Sequence, residues 1–434
     1  MSSLKCRLGD IAHIVMGQSP SGDEVNAQYL GIPLLNGPSE FTEFYPIPVQ
    51  YTECGRKFAE QGDLLFCVRG STTGKMNIAD QKYAIGRGLA AISGKNGYST
   101  EYIKIILEQN LEKILRSATG STFPNVGRDL LCNLEVAINS VDVAENISQI
   151  SATINKKIQL NTQINQTLEQ IAQTIFKSWF IDFDPVHAKA NALASGQTTE
   201  QATQAAMAVI SGKNTQELHR LQTANPEQYQ QLWEIAEAFP SGVDEEGVPR
   251  GWEERELSSL FEFLSGAQPP KSEHIYEEKE GYERFIQNRD YSNDNHKTYI
   301  PISKKNKRCT EKDILMDKYG EAGKVRYGIK GAYNVALAKI VPQKDNLREF
   351  LRSYFTQDKI RNYLSSSSMA STRNSLNSTT FTGMKVIVPN DFLLSTFDKL
   401  ANEKIDKILQ IKQENIELSK LRDYLLPKLL SGEV

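Results

Sequence analysis

The stretch Gly70-Ser-Thr-Thr-Gly74-Lys75 comes nearest, in residue types and spacing, to a catalytic loop in this 434-residue sequence. A nucleotide phosphate loop needs four residues between its glycines and a Ser or Thr after the lysine. Backbone amides then cradle the phosphates and the hydroxyl reaches Mg²⁺. Here three residues separate the glycines, Met76 follows the lysine, and a strand-like run begins where a helix should. Nucleotide hydrolysis is therefore not expected. Gly320-Glu-Ala-Gly-Lys324-Val-Arg326 fits no better. Methyl transfer to adenine would need a Gly-rich cofactor loop and an Asn-Pro-Pro-aromatic or Asp-Pro-Pro-aromatic motif, and neither occurs. The histidines (His13, His187, His219, His274, His296) have no metal-ligand spacing, and no paired-carboxylate nuclease core stands out. The expectation is a chain with no catalytic residues and no metal.

What these loops do offer is binding chemistry. Both end a strand in glycines tipped with hydroxyls and cations, which suits close approach to a phosphate backbone. The candidates are Arg69, Ser71, Thr72, Thr73 and Lys75 in the first loop, Arg87 nearby, and Lys324 and Arg326 in the second. The polar run 365–380 aligns with Gly120-Ser-Thr-Phe-Pro-Asn125, adding Ser121, Thr122 and Asn125, and Ser371, Thr372, Arg373 and Asn374. Ser, Thr and Asn donate to phosphates, and an arginine pairs with a phosphate or a guanine edge. A basic cluster, Lys304, Lys305, Lys307 and Arg308, sits among tyrosines and suits phosphate contact rather than base reading. Each of these also reads as an ordinary exposed hairpin or loop.

The elements that carry these loops occur twice. Shifted by 248 to 250 residues, Arg7–Gly17 lies on Glu256–Gly266, Gly62-Asp-Leu-Leu on Lys312-Asp-Ile-Leu, and Leu134-Glu-Val-Ala-Ile on Met384-Lys-Val-Ile-Val. Such an offset signals two whole domains related by pseudo-symmetry. Each reads as an α/β module of short strands, with helices over 101–115 and 347–364. A long helix of roughly 36 residues, about 54 Å, follows each module. Heptad stepping places a seam on Ile147, Ile150, Ile154, Ile164, Leu168, Ile171 and Ile175 in the first helix. In the second it falls on Phe397, Leu400, Ile408, Ile411, Leu418, Leu421 and Leu425. Each seam needs a partner, so an antiparallel intramolecular pair is expected. Pro185 is read as the stop of the first helix and Pro427 lies near the end of the second. The resulting division is module 1 over 1–140, central helix 141–184, helical insertion and linker 185–250, module 2 over 251–391 and second helix 392–434.

The bulk numbers fit binding to nucleic acid. Residues 256–390 carry 22 Lys and Arg against 16 Asp and Glu, although the whole chain has a net charge of −3. Five scattered cysteines without a C-x-x-C pair point to a reducing cytosol. No apolar run approaches the roughly 18 residues of a membrane span, and no secretory signal is read at the N-terminus.

Ile175-Phe-Lys-Ser-Trp-Phe-Ile-Asp-Phe-Asp-Pro185 resembles the stretch leaving the central helix in specificity subunits of type I restriction–modification enzymes. Val248-Pro-Arg-Gly-Trp252 is similar to that family's lead into a recognition domain, and Leu421-Arg-Asp-Tyr-Leu-Leu-Pro-Lys-Leu-Leu-Ser-Gly432 to its usual ending. Module 1 lacks the Pro-x-Gly-Trp signature. The resemblance implies an α/β fold of two target recognition domains separated by two antiparallel helices, each domain reading half of a split double-stranded DNA target. It implies two methyltransferase subunits and two motor-nuclease subunits as partners in a prokaryotic cytoplasm. S-adenosylmethionine, ATP and Mg²⁺ would then belong to the partners. The rival readings are a coiled-coil scaffold with two peptide- or protein-binding modules, and a self-contained methyltransferase or nuclease with degenerate motifs.

Overall fold

The computed structural model describes residues 4–119, 124–292, 296–370 and 375–433. The chain divides into two units, Met1–Gln163 with Lys412–Val434, and Ile164–Ile411. None of the described helices is long and apolar enough to cross a membrane.

In the first unit four antiparallel strands run in the order Ala12–Met16, Leu89–Gly94, Leu64–Cys67, Met76–Ile78. Leu64-Leu-Phe-Cys67 is buried at every position because both of its faces are covered. Leu64 and Phe66 join Tyr102, Ile103 and Ile106 of the helix Thr100–Gln109 in one core. Leu65 and Cys67 point the other way, against Leu35, Tyr83 and Ile85 of a second, five-stranded sheet. That sheet contains one parallel pair, Leu34 with Ala84. A third, two-stranded sheet pairs Leu4–Arg7 with Glu135–Ile138.

The second unit repeats this plan. Its first sheet runs Phe261–Ser265, Leu337–Pro342, Ile314–Asp317, Val325–Arg326. The parallel pair recurs as Phe285 with Ala332, and the two-stranded sheet as Glu253–Glu256 with Lys385–Val388. The repeat holds at the level of single pairs, since Leu89 opposite Cys67 becomes Leu337 opposite Asp317. The helices expected over 101–115 and 347–364 are each two helices. One pair breaks at Asn110, the other at Gln357, whose extended backbone (φ −60°, ψ 132°) cannot continue a helix.

The central helix spans Val141–Phe180 (40 residues) and the terminal helix Asp391–Ser431 (41 residues), both longer than expected. Pro427 lies inside the latter, which ends four residues beyond it. Within the first unit Asn161 Nδ2 donates to Asn415 Oδ1 (2.8 Å) and Glu414 Oε2 (3.0 Å). Arg422 Nη1 donates to Asn155 Oδ1 at 2.9 Å. Within the second, Phe397 meets Phe176 and Phe180, with ring centroids 5.7 and 5.3 Å apart. Partner numbers fall along one helix as they rise along the other, so the helices are antiparallel.

The seam itself differs from the heptad reading. Ile147, Phe397, Ile408 and Ile411 are buried, and Ile154, Leu168, Ile175, Leu400, Leu418 and Leu425 are half-buried. Ile150 (39% exposed), Ile164 (37%), Ile171 (40%) and Leu421 (47%) face outward. Ser148, Ser151, Asn161, Asn165 and Ala172 are buried instead. Ser148, Ser151 and Asn161 serve because their hydrogen bonds are made, Ser148 Oγ with Ser99 Oγ at 2.8 Å and Ser151 Oγ to Glu101 Oε1 at 2.7 Å. A stepping rule that counts only apolar side chains slides one residue off this line.

Residues 184–238 form four helices, Asp184–Ala194, Thr199–Ser211, Thr215–Ala224 and Pro226–Ala238. Pro185 does not stop the central helix, which has already ended at Phe180. Phe183 turns left-handed (φ 53°) and Pro185 sits in the first turn of the next helix, where its fixed φ fits and its missing N–H costs nothing. The motif aromatics Phe176, Trp179 and Phe180 pack with Phe239, Trp252, Phe350 and Phe397 in the core of the second unit. Lys189, almost fully buried, donates to the carbonyls of Ala236 (3.2 Å), Glu237 (3.2 Å) and Phe239 (2.6 Å), capping the helix Pro226–Ala238. Burial lowers its pKa.

Candidate nucleic-acid interface

In module 1 the loops that leave the two larger sheets converge on one end. Val68 N–H donates to the Gly88 carbonyl (2.9 Å), and Val126 N–H to the Val68 carbonyl (2.9 Å), tying three loops together. Gly17 N–H donates to Leu89 and Gln18 N–H to Ile85, bringing in a fourth. The approach is so close that a Cβ at Gly17 would stand 2.1 Å from the Gly86 carbonyl oxygen, and one at Gly86 would stand 2.3 Å from Asn36 Oδ1. The clash at Gly17 is with backbone, so glycine is required there, whereas at Gly86 the nearest atoms are side-chain ends. Module 2 makes the same crossing, with a Cβ at Gly266 only 2.0 Å from the Asn334 carbonyl oxygen.

This end carries Arg69, exposed, whose Nε donates to Asn125 Oδ1 at 3.1 Å. Arg87 and Ser71 are also exposed here, with the Arg87 backbone N–H held by Ser19 Oγ at 3.1 Å. Thr73 is not a free donor, since its hydroxyl is within bonding distance of the carbonyls of Gly70 (2.8 Å) and Pro124 (2.9 Å). Thr72 is half-buried, 3.6 Å from Cys67 Sγ. Lys75 is exposed on the strand side of Gly74. Ser121 and Thr122 lie outside the described residues, as do Ser371, Thr372, Arg373 and Asn374. Missed in the sequence were Gln18, Ser19 and Asn36, which belong to this end but lie in loops without a repeat signal.

In module 2 three of the six described candidate cations are already paired. Arg326 is buried and donates to Asp317 Oδ2 (3.1 and 2.8 Å) and Glu321 Oε2 (2.8 Å). Lys324 Nζ is 2.7 Å from Glu321 Oε1. Arg308 forks onto Glu283 at 2.6 and 2.7 Å, on the second sheet rather than in the loop cluster. In all three the positive charge already faces a carboxylate, and the Arg326–Asp317 pair alone is buried. Lys304, Lys305 and Lys307 remain exposed. Burial pushes the Asp317 carboxyl up in pKa and the Arg326 guanidinium opposes that rise. Asn288 Nδ2 donates to Asp317 Oδ1 at 2.9 Å, joining the network. Gln287, Asn288, Arg289, Asp317, Tyr319 and Asn334 line a cavity of about 390 Å³ in the loop cluster. Among the described residues no group of three or more His, Cys, Asp or Glu is placed to hold a metal ion.

A plan used twice is what comparison with known proteins also finds. The type I restriction modification DNA specificity domain matches residues 4–170 and again 249–422. The chain belongs to the type I restriction–modification specificity family. The specificity subunit of the type I restriction enzyme HindI from Haemophilus influenzae is 32% identical over 95% of this chain and 93% of its own. The MjaIX specificity subunit of Methanocaldococcus jannaschii is 25% identical over 88% of this chain and 80% of its own. The fold is similar to that of a type I restriction–modification S subunit from M. genitalium, with a TM-score of 0.53 at 15% identity, covering 98% of this chain and 95% of that one. The family domain leaves out residues 171–248, which hold the four inserted helices and the end of the central helix. The aromatics of the motif that carried the family resemblance, Phe176, Trp179 and Phe180, are core packing of the second unit.

Proposed function

We propose that this chain reads a bipartite double-stranded DNA target, one module to each half-site, and directs adenine methylation and cleavage performed by partner subunits. The observation that carries this is the same loop cluster built twice on different chemistry. Where module 1 sets Cys67 beside Thr72, module 2 sets Asp317 beside Arg326 and Asn288. One scaffold with two different reading ends suits one ligand read at two places. The long helices set the gap between the half-sites. Two methyltransferase subunits and two motor-nuclease subunits bind the chain, and S-adenosylmethionine, ATP and Mg²⁺ belong to them. Exposed Ile150, Leu160 and Leu421 on the long helices give such partners apolar side chains to cover.

The test is reconstitution. The purified chain alone is expected to transfer no methyl group and cut no duplex, whereas adding its methyltransferase subunits produces adenine methylation and duplex binding that weakens steeply with salt. Methylation or cleavage by the isolated chain would overturn the proposal. So would a complex that binds its partners but shows no affinity for duplex, the behaviour of a protein scaffold.

A further inference from the structure

The cavity in the loop cluster of module 2 has an unusual charge balance for a phosphate site. Its lining holds two cations, Arg289 and Arg326, and two carboxylates, Asp317 and Glu321. Arg326 is consumed by those two carboxylates and forms a rigid rear wall. A phosphate entering here would meet the Glu321 carboxylate, 59% exposed, as well as Arg289. A neutral ligand with hydrogen-bond acceptors meets no such repulsion.

Arg289 is the group left to meet it. Its side chain is 56% exposed, and its polar contacts are long: Nη2 to Thr298 Oγ1 at 3.4 Å and Nε to Asp290 Oδ1 at 3.7 Å. The backbone beneath it is held firmly. Arg289 lies in the short 3₁₀ turn Asn288–Tyr291, whose start is fixed by Gln287 N–H to Asp290 Oδ2 at 3.0 Å. Asp290 is itself buried and paired with Arg284 at 3.0 Å. On the preceding side Asn288 is fastened to Asp317. A planar guanidinium on a rigid turn, beside a charge-balanced concave wall, suits bidentate contact with two acceptors on one edge. In the major groove only guanine offers that pair, O6 and N7.

We infer that Arg289 is a specificity-determining residue of module 2, reading a guanine edge of the half-site at this cavity. The assignment rests on the DNA-reading function proposed above and adds the residue and the base. It gives Arg326 and Lys324 a supporting role, neutralising the wall so that Arg289 alone selects. In module 1 Cys67 stands where module 2 has Asp317, and no matching ion pair is found among the described residues, so the two half-sites are expected to differ at the corresponding position.

The experiment expresses the full chain with its methyltransferase subunits as wild type, Arg289→Ala and Arg289→Lys, and maps methylated adenines across the host genome. Wild type is expected to give a split motif with a guanine in one half. Both variants are expected to relax that one position, lowering discrimination by about tenfold to a hundredfold, with the other half-site unchanged. Lysine keeps the charge but loses the fork, so it separates base reading from phosphate contact. Overall weaker methylation with an unchanged motif in Arg289→Ala, and wild-type behaviour in Arg289→Lys, would make Arg289 a phosphate contact and overturn the inference. Relaxation confined to the other half-site would overturn it as well. A wild-type chain that yields no split motif at all would overturn the function it rests on, and the assignment with it.

Discussion

Phe176→Ala is expected to destabilise residues 164–411 by about 3–5 kcal/mol, enough to unfold much of that unit near physiological temperature. Phe176 is fully buried and packs edge-on against Phe180 and Phe350 and tilted against Phe397, with ring centroids 5.3–5.7 Å apart. It therefore joins three elements at one point: the central helix, the helix Arg348–Thr356 and the terminal helix. Removing it leaves a cavity that rigid helix backbones do not close. The readout is selective, because the chain's three tryptophans, Trp179, Trp233 and Trp252, all lie in this unit. Urea unfolding followed by tryptophan fluorescence should show a much lower midpoint. A loss below about 1 kcal/mol would mean that the aromatic motif is not the keystone of this core.

Four residues inserted after Gln163, together with four before Lys412, are expected to lengthen the non-specific spacer of the DNA target by one or two base pairs. Four helical residues add about 6 Å, close to two base-pair steps of about 3.4 Å. Inserting in both helices preserves the pairing within each unit, Asn161 with Asn415 in one and Phe176 with Phe397 in the other. Insertion in one helix alone would force one of those registers to slip. Both half-site sequences should be unchanged, since the loops that read them are untouched. An unchanged spacer, or altered half-sites, would show that the helices do not set the gap.

The repeat, the strands and the two long helices are legible in the sequence because each rests on a periodic or offset signal. Leu64-Leu-Phe-Cys67 and Ile314-Leu-Met-Asp317 declare themselves as buried strands, although Asp317 already breaks the apolar pattern for a reason visible only in three dimensions. The seam is only partly legible. Ser148 and Ser151 are invisible to a hydrophobic count, and their burial depends on Ser99 and Glu101, some 50 residues away in the sequence. The basic residues are least legible, because a lysine or arginine looks the same whether free or paired. Glu283 takes Arg308, and Asp317 and Glu321 take Arg326. Arg289, standing in an aperiodic loop, gives no signal in the sequence at all.

The central claim is that this chain alone supplies target choice, and the most direct measurement is a comparison of adenine methylation across a host genome with and without it. The methyltransferase subunits are present in both strains. The expected result is one bipartite motif, two short specified halves separated by a fixed unspecified gap, methylated only when the chain is expressed. The same motif in its absence, or methylation with no split motif in its presence, would contradict the account.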